Sequence, residues 1–314
     1  MDLQRQKSAV AILSVASNSL LVVAKLVIGI LIGSVSVVSE AVHSGVDLIA
    51  AVITLVAVRT SAKPADEEHS FGHGKIENVS GAIEALLIFL AAAWIIYEAV
   101  HKLIRPQPRE DVGWGVIVMM VSAVLNTIVS HMLFKVARKT GSVALEADAW
   151  HLRTDVWTSA GVTAGLALIW SGEWIFPGRH FHWLDPVFAI GVALLIIRAA
   201  WQLTVQAGRD LIDTNLPADE KAWIRRYLHD LNTSGDKPNV FGHHRLRTRK
   251  SGNTRFVEFH LFVSPDMSVQ ESHRITQIVK ADIRRQLPGA DVLIHIEPYD
   301  PTRDSHRRNQ TSAG

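Results

Sequence analysis

The sequence predicts a membrane-embedded six-helix bundle followed by a small α+β domain, and three observations carry that prediction. Five apolar stretches of about 20 residues lie in the first two thirds of the chain, each long enough to cross a bilayer. A sixth stretch keeps helical character although charged residues interrupt it. After Leu203 the composition turns polar, and short helical and strand-like patterns replace the apolar runs.

The first stretch, Ala9 to Ile32, follows Arg5 and Lys7 and has no small-residue cleavage site, so it reads as a retained helix and not a removable signal peptide. Val37 to Val58, Gly81 to Val100, Val112 to Val136 and Pro186 to Leu203 are the other four. Between the last two, Val143 to Trp170 carries Glu146, Asp148, His151, Arg153 and Asp155 in its first half. Hydropathy alone undercalls it, yet no Pro or Gly interrupts Ser142 to Ala160, and Ala, Leu, Trp and Val continue between the charges. Its polar half should therefore face protein and not lipid. Six spans put both termini on one side. The loops there hold Arg5, Lys7, Arg59, Lys63, Lys75, Lys135, Arg138 and Lys139, against Lys102, Arg105, Arg109 and Arg179 opposite, which assigns the termini to the cytoplasm.

Residues 1–208 thus read as the membrane domain, 209–300 as a cytoplasmic domain and 301–314 as a disordered tail without periodicity. The cytoplasmic part reads as a helix from Ala218 to Leu231, strands from Val240 to Arg249 and Thr254 to Val263, a helix from Ser268 to Leu287 and a strand from Asp291 to Pro298. Lys250 to Asn253 gives the hairpin turn, and Pro288-Gly289 stops the second helix.

Charge is nearly balanced, with 32 basic and 30 acidic residues, so neither nucleic acid nor acidic lipid is a general partner. Cysteine is absent, which removes disulfides and thiolate ligands and leaves His, Asp and Glu as strong metal donors. Against that background, two spacings inside membrane-spanning stretches matter: His43-x-x-x-Asp47 and His151-x-x-x-Asp155. Residues four apart share a helix face. Polar residues in a bundle often do no more than hydrogen-bond to neighbouring helices, but an ionisable group at membrane depth costs about 2.5–3.5 kcal/mol, and the same pair occurs twice. Two imidazoles and two carboxylates can close a tetrahedral site on one divalent cation. Glu40 and Asp148, each three residues before a pair's His, read as structural polar contacts or entrance groups.

The loop Asp66-Glu67-Glu68-His69-Ser70-Phe71-Gly72-His73-Gly74-Lys75 gathers two His and three carboxylates around glycines, which suits either an ion site or a solvated polar turn. His295 and Glu297, two apart on a strand, face one way. With His244, His260 and His273 they make a candidate cluster, although surface histidines are common. His101, His131, His180, His182, His229, His243 and His306 show no spacing that points beyond solvated or interfacial roles.

The segments Ser39–Asp47, His69–Lys75, Ala147–Asp155, Leu246–Arg249 and Asp291–His295 together resemble the cation diffusion facilitators, and within them bacterial zinc transporters of the ferrous-iron-efflux type. The resemblance implies a homodimer in the bacterial inner membrane, with six transmembrane helices and a ferredoxin-like, metallochaperone-like cytoplasmic domain per subunit. It implies a transport site at His43, Asp47, His151 and Asp155, a loop site at Asp66, His69 and His73, and a cytoplasmic site at His244, His260, His273 and His295. Glu297 stands there where the family has Asp. Lys75 with Asp213 matches the family's ion-pair interlock near the membrane surface.

Close bacterial relatives often carry Asp where this chain has His43, and members with two His and two Asp resemble the zinc-selective ones. Nitrogen-rich tetrahedral coordination suits Zn2+ on chemical grounds, with Fe2+, Co2+, Cd2+ and Mn2+ as alternatives. Metal ligation needs neutral imidazole and ionised carboxylate, so metal and protons compete for one site and the expected activity is Zn2+ efflux against inward protons by alternating access. A membrane metalloenzyme would need an open metal position beside three ligands; four ligands leave none, so the chain is not read as an enzyme. A metal sensor without flux is the other alternative.

Overall fold

A computed structural model describes residues 3–33, 35–104, 113–175, 183–233 and 239–301. The chain divides after Leu211 into two compact units. The tail, residues 302–314, and His180, His182 and His306 lie outside the described residues.

The described residues of the first unit form six helices: α1 (Leu3–Ile32), α2 (Val35–Ser61), α3 (Lys75–Ile104), α4 (Gly113–Thr140), α5 (Val143–Ile175) and α6 (Leu184–Leu211). Among the described residues, five are long and apolar enough to cross a membrane, and α5 is not counted with them. Its amino-terminal half faces inward as its charges require. Ala144, Leu145, Ala147, Asp148, Ala149, His151 and Leu152 are all buried. Helices elsewhere are built inside out. On α3 the small or polar Glu77, Ser80, Gly81, Glu84, Ala85 and Ala92 are buried, while Leu86, Leu90, Trp94 and Tyr97 are exposed. Small residues allow close helix approach, and bulky apolar ones suit lipid.

The helices outrun the apolar stretches because their ends are held by polar contacts. α3 starts at Lys75, six residues before the stretch that begins at Gly81, and its first turns are tied down at Glu77 and Asn78. Asn78 Nδ2 donates to Asp210 Oδ2 on α6 at 3.1 Å. α3 packs against α6 and α5, α1 against α2 and α4, and α4 against α5. Two of the glycines mark close approaches between packed segments. A Cβ at Gly81 would stand 2.9 Å from Val143 Cγ1, and one at Gly161 only 2.5 Å from Val192 Cγ2.

The second unit runs α7 (Ala218–Thr233), β1 (Val240–Ser251), β2 (Thr254–Val263), α8 (Val269–Gln286) and β3 (Ala290–Pro298). β1 and β2 form an antiparallel hairpin around Gly252, whose φ of 56° suits a tight turn. β3 returns parallel to β2 because α8 crosses back over the sheet between them. The described sheet thus has three strands, in the order β1-β2-β3. Ser268 caps α8, its hydroxyl accepting from the Glu271 N–H at 3.1 Å. Along β2 the inward residues Val257, Phe259, Leu261 and Val263 pack with Ile224 and Leu228 of α7 and Ile275, Val279 and Ile283 of α8. Strand alternation then sends Glu258, His260 and Phe262 to the opposite face.

Candidate metal centres

In the bundle, α2 contributes His43 and Asp47, and α5 contributes His151 and Asp155. One ligand atom each from His43, Asp47 and Asp155 lies within 4.8 Å of the others. His151 Nε2 is 3.1 Å from Asp47 Oδ1, so the four residues converge at one place. Asp47 and His151 are 5% exposed, whereas His43 is exposed and Asp155 half-buried, so an ion would meet the group from the His43 side. His151 Nδ1 is buried without a hydrogen-bond partner among the described residues. The buried Lys25 ammonium donates to Ser44 Oγ at 2.8 Å, which places a positive charge beside His43.

The α2–α3 loop closes on Asp66. One carboxylate oxygen accepts from the His69 backbone N–H at 2.7 Å and lies 3.3 Å from His69 Nδ1; the other is 3.3 Å from His73 Nε2. The two imidazole rings are 4.4 Å apart. Gly72, at φ 79°, makes the turn that returns His73 beneath His69. His73 is buried, with Nδ1 3.2 Å from the Pro64 carbonyl oxygen, which orients the ring. The His69 N–H, with the neighbouring imidazoles, holds the Asp66 carboxyl below the usual carboxylate range. Glu67 and Glu68 are exposed and stand outside the three-residue group.

On the sheet, register brings three histidines into one row: His244 opposite His260 and His260 opposite His295. Their rings lie 4.8 Å and 4.7 Å apart in the two pairs. Glu297 reaches across this row, 2.6 Å from His260 Nδ1, 2.9 Å from His244 Nε2 and 3.9 Å from His295 Nε2. Burial pushes the Glu297 carboxyl up, but hydrogen bonding to His260 and His244 outweighs it, and the group sits below its ordinary range. His244, His260 and Glu297 present ligand atoms within 4.8 Å of one another. His295 borders the group, while His273, on α8 with a ring nitrogen 3.2 Å from Gln277 Nε2, is not part of it. A bulge between His244 and Arg247, with Arg245 at φ 52°, separates the row from the regular hairpin beyond.

Lys75 Nζ donates to the Leu211 carbonyl oxygen at 3.3 Å, and Asp213 pairs with Arg249 at 3.5 Å. His101 stacks on Tyr97 and His229 pairs with Asp230. Burial pushes the His243 imidazole down.

Some polar residues in the bundle escaped the sequence reading. Glu77 of α3 is buried and bonded to Lys7 of α1, Ser61 of α2 and Ser142 ahead of α5, with the Ser61 bond at 2.7 Å. Thr54 of α2 donates to Glu84 of α3. The signal was a seven-residue repeat of polar residues within apolar helices, at Asp47, Thr54 and Ser61 and again at Glu77 and Glu84.

Comparison with known proteins agrees with this architecture. A family model described as the cation efflux transmembrane domain matches residues 11–212, and one described as the cation efflux protein cytoplasmic domain matches residues 231–299. The chain is 36% identical over 294 residues to the cation-efflux pump FieF of Escherichia fergusonii, covering 94% of this chain and 93% of that protein. It is 34% identical over 294 residues to FieF of Citrobacter koseri, with 94% and 93% covered. The metal-bound C-terminal domain of the CzcD transporter from Thermotoga maritima is 26% identical, covers 26% of this chain and 94% of that chain, and superposes with a TM-score of 0.23.

Proposed function

The chain belongs to the cation efflux family, and on that premise we propose that it exports Zn2+ from the cytoplasm in exchange for protons, using His43, Asp47, His151 and Asp155 as the transport site. It is a multi-pass membrane transporter of metal cations and not an enzyme. The observation that carries the finer reading is the convergence of two helices' worth of imidazole and carboxylate at one place, with Asp47 and His151 buried there.

The chemistry follows from the donors. Imidazole and carboxylate bind Zn2+ only when deprotonated, so a proton on His43 or His151 and a metal on the site exclude each other. With an ordinary pKa near 6.5, imidazole changes occupancy across the pH range that a membrane gradient spans. Exposing the site alternately to the two sides then converts this competition into exchange. Nitrogen donors favour Zn2+ over Mn2+, whose preference is for oxygen.

The remaining assignments complete the proposal. Asp66, His69 and His73 hold metal at the loop, and His244, His260, His295 and Glu297, with His273, hold it at the cytoplasmic domain. Cytoplasmic metal serves as regulatory Zn2+, biasing the pump toward a transport-ready state. Two chains pair as a homodimer in the bacterial inner membrane with their termini in the cytoplasm, and Lys75 pairs with Asp213 as an interlock.

The test is Zn2+ flux into proteoliposomes under an imposed pH gradient, with Mn2+, Fe2+, Co2+ and Cd2+ run beside it. Zn2+ should move fastest, and reversing the gradient should reverse net flux. Flux indifferent to the gradient would end the exchange claim, and a faster competing metal would end the zinc assignment.

A further inference from the structure

Three helices of the bundle repeat polar residues every seven positions, and the repeats meet in layers. α2 carries Asp47, Thr54 and Ser61, α3 carries Glu77 and Glu84, and α1 carries Lys7 and Ser14. Seven residues are two turns, about 10 Å of helix, so each repeat returns to the same face one layer further along. The layer nearest the α2–α3 loop holds Lys7, Ser61, Glu77 and Ser142. The layer furthest from it is the transport site at Asp47 and His151. Between them lie Thr54 bonded to Glu84, and Asp148, three residues before His151, with the Ser14 hydroxyl facing it. α3 packs against α5 here, and Ala85 and Ala147, the chain neighbours of Glu84 and Asp148, belong to one buried apolar cluster.

The middle layer differs from the one nearest the loop in a way that asks for a cation. Glu77 has its own lysine. Glu84 and Asp148 are 0% and 1% exposed, and the charged groups acting on them are each other, Asp47 and His151, with no lysine or arginine among these. Both Asp148 oxygens and Glu84 Oε2 lack a hydrogen-bond partner among the described residues, as does Ser14 Oγ. A buried carboxylate oxygen left unsatisfied at membrane depth is strongly disfavoured. Glu84 and Asp148, acting on one another from the packed helices α3 and α5, make with the Thr54 and Ser14 hydroxyls an all-oxygen donor set for a divalent ion.

We propose that Glu84 and Asp148, with Thr54 and Ser14, form a second intramembrane cation site, a station that a divalent metal ion occupies between the loop end of the bundle and the transport site. The inference rests on the transport reading of Asp47 and His151. Oxygen donors hold zinc less tightly than imidazole does, which suits a stop that must fill and empty on every cycle. The Lys7–Glu77 pair, one layer out, separates the station from the loop in this conformation. Passage past it requires that layer to open.

Cd2+ binding to the full-length chain in detergent tests this, with the loop and cytoplasmic clusters silenced by His73→Ala and His260→Ala. Two classes of intramembrane Cd2+ should appear, one tight and one weak. Asp155→Ala should weaken the tight class, and Glu84→Gln should abolish the weak class alone while cutting saturating Zn2+ flux in proteoliposomes about tenfold. Retention of the tight class shows that Glu84→Gln has folded. If that variant loses both classes, Thr54→Val carries the test by removing a donor without touching a charge: loosening of the weak class supports the station, and unchanged binding overturns it. Glu84→Gln with the weak class and flux intact would also overturn the station and leave the transport site standing. Asp155→Ala with both classes and full flux would instead bring down the transport reading itself.

Discussion

The two histidine-carboxylate clusters, in the bundle and on the sheet, use the same donors under opposite constraints. In the bundle, Asp47 and His151 are buried among helices that read as membrane-spanning, and His151 Nδ1 has no hydrogen-bond partner among the described residues. On the sheet, His244, His260 and Glu297 are half-buried and already satisfy one another through hydrogen bonds of 2.6 and 2.9 Å. A cluster that can rest without metal is suited to sensing it. One that cannot must either hold metal, hold protons or be crossed by both, and that is the condition for exchange.

That contrast breaks most sharply at Asp47. Asp47→Ala leaves His151 facing an empty position, and Zn2+ flux in proteoliposomes should fall by about two orders of magnitude or more, as expected for a ligand that acts in every cycle. Flux within a few-fold of native would erase the distinction between the clusters. Truncating Glu297 to Ala should act on concentration instead of capacity. The Zn2+ level for half-maximal flux should rise about tenfold with the maximal rate nearly unchanged, the mark of a differential affinity between two states. A collapse of the maximal rate would make the sheet cluster structural.

Packing offers a third way to sharpen the comparison. Gly161→Ala places a Cβ against Val192 at a separation that real contacts do not reach, so the valine side chain or the helices must shift. A cost of about 1–3 kcal/mol should appear as a lower melting temperature of the purified protein. Metal binding at the sheet cluster should be unaffected. The smallest effect is in pH. Glu297 titrates below its ordinary range in the folded chain, so it contributes stability above its unfolded value of about 4.3 and loses that contribution as pH falls through the folded value. With metal chelated, the native chain should therefore lose more stability on acidification from about pH 5 than Glu297→Gln does, by no more than about 1 kcal/mol given the partial exposure. Equal acid sensitivity would deny the carboxylate that role.

Much of this was legible from residue order. Apolar length predicts five spans, and the lack of breakers between Ser142 and Ala160 predicts that α5 continues through its charges. The pairing of His43 with Asp47, and of His151 with Asp155, follows from helical spacing. Other features depend on which helices meet. Nothing in the local pattern says that Glu77 faces Lys7, seventy residues earlier, because that contact depends on which helix ends the bundle brings together. On the sheet, the grouping of Glu297 with His244 and His260 depends on the bulge after His244 and on α8 returning β3 in parallel, neither of which spacing reveals. His273 illustrates the reverse, a histidine suggested by likeness that the single chain leaves apart from the group.

The histidine row on the sheet also bears on how the second unit folds. Each of its three members comes from a different strand, and the row exists only when both pairings have the register seen here. A slip of one residue in β2 would turn His260 inward and Phe259 outward, dissolving the row and the apolar core together. A metal ion captured at this row therefore binds the correctly paired sheet and none of its shifted alternatives. A metal ion held there would in this way favour the correct strand alignment over every shifted one.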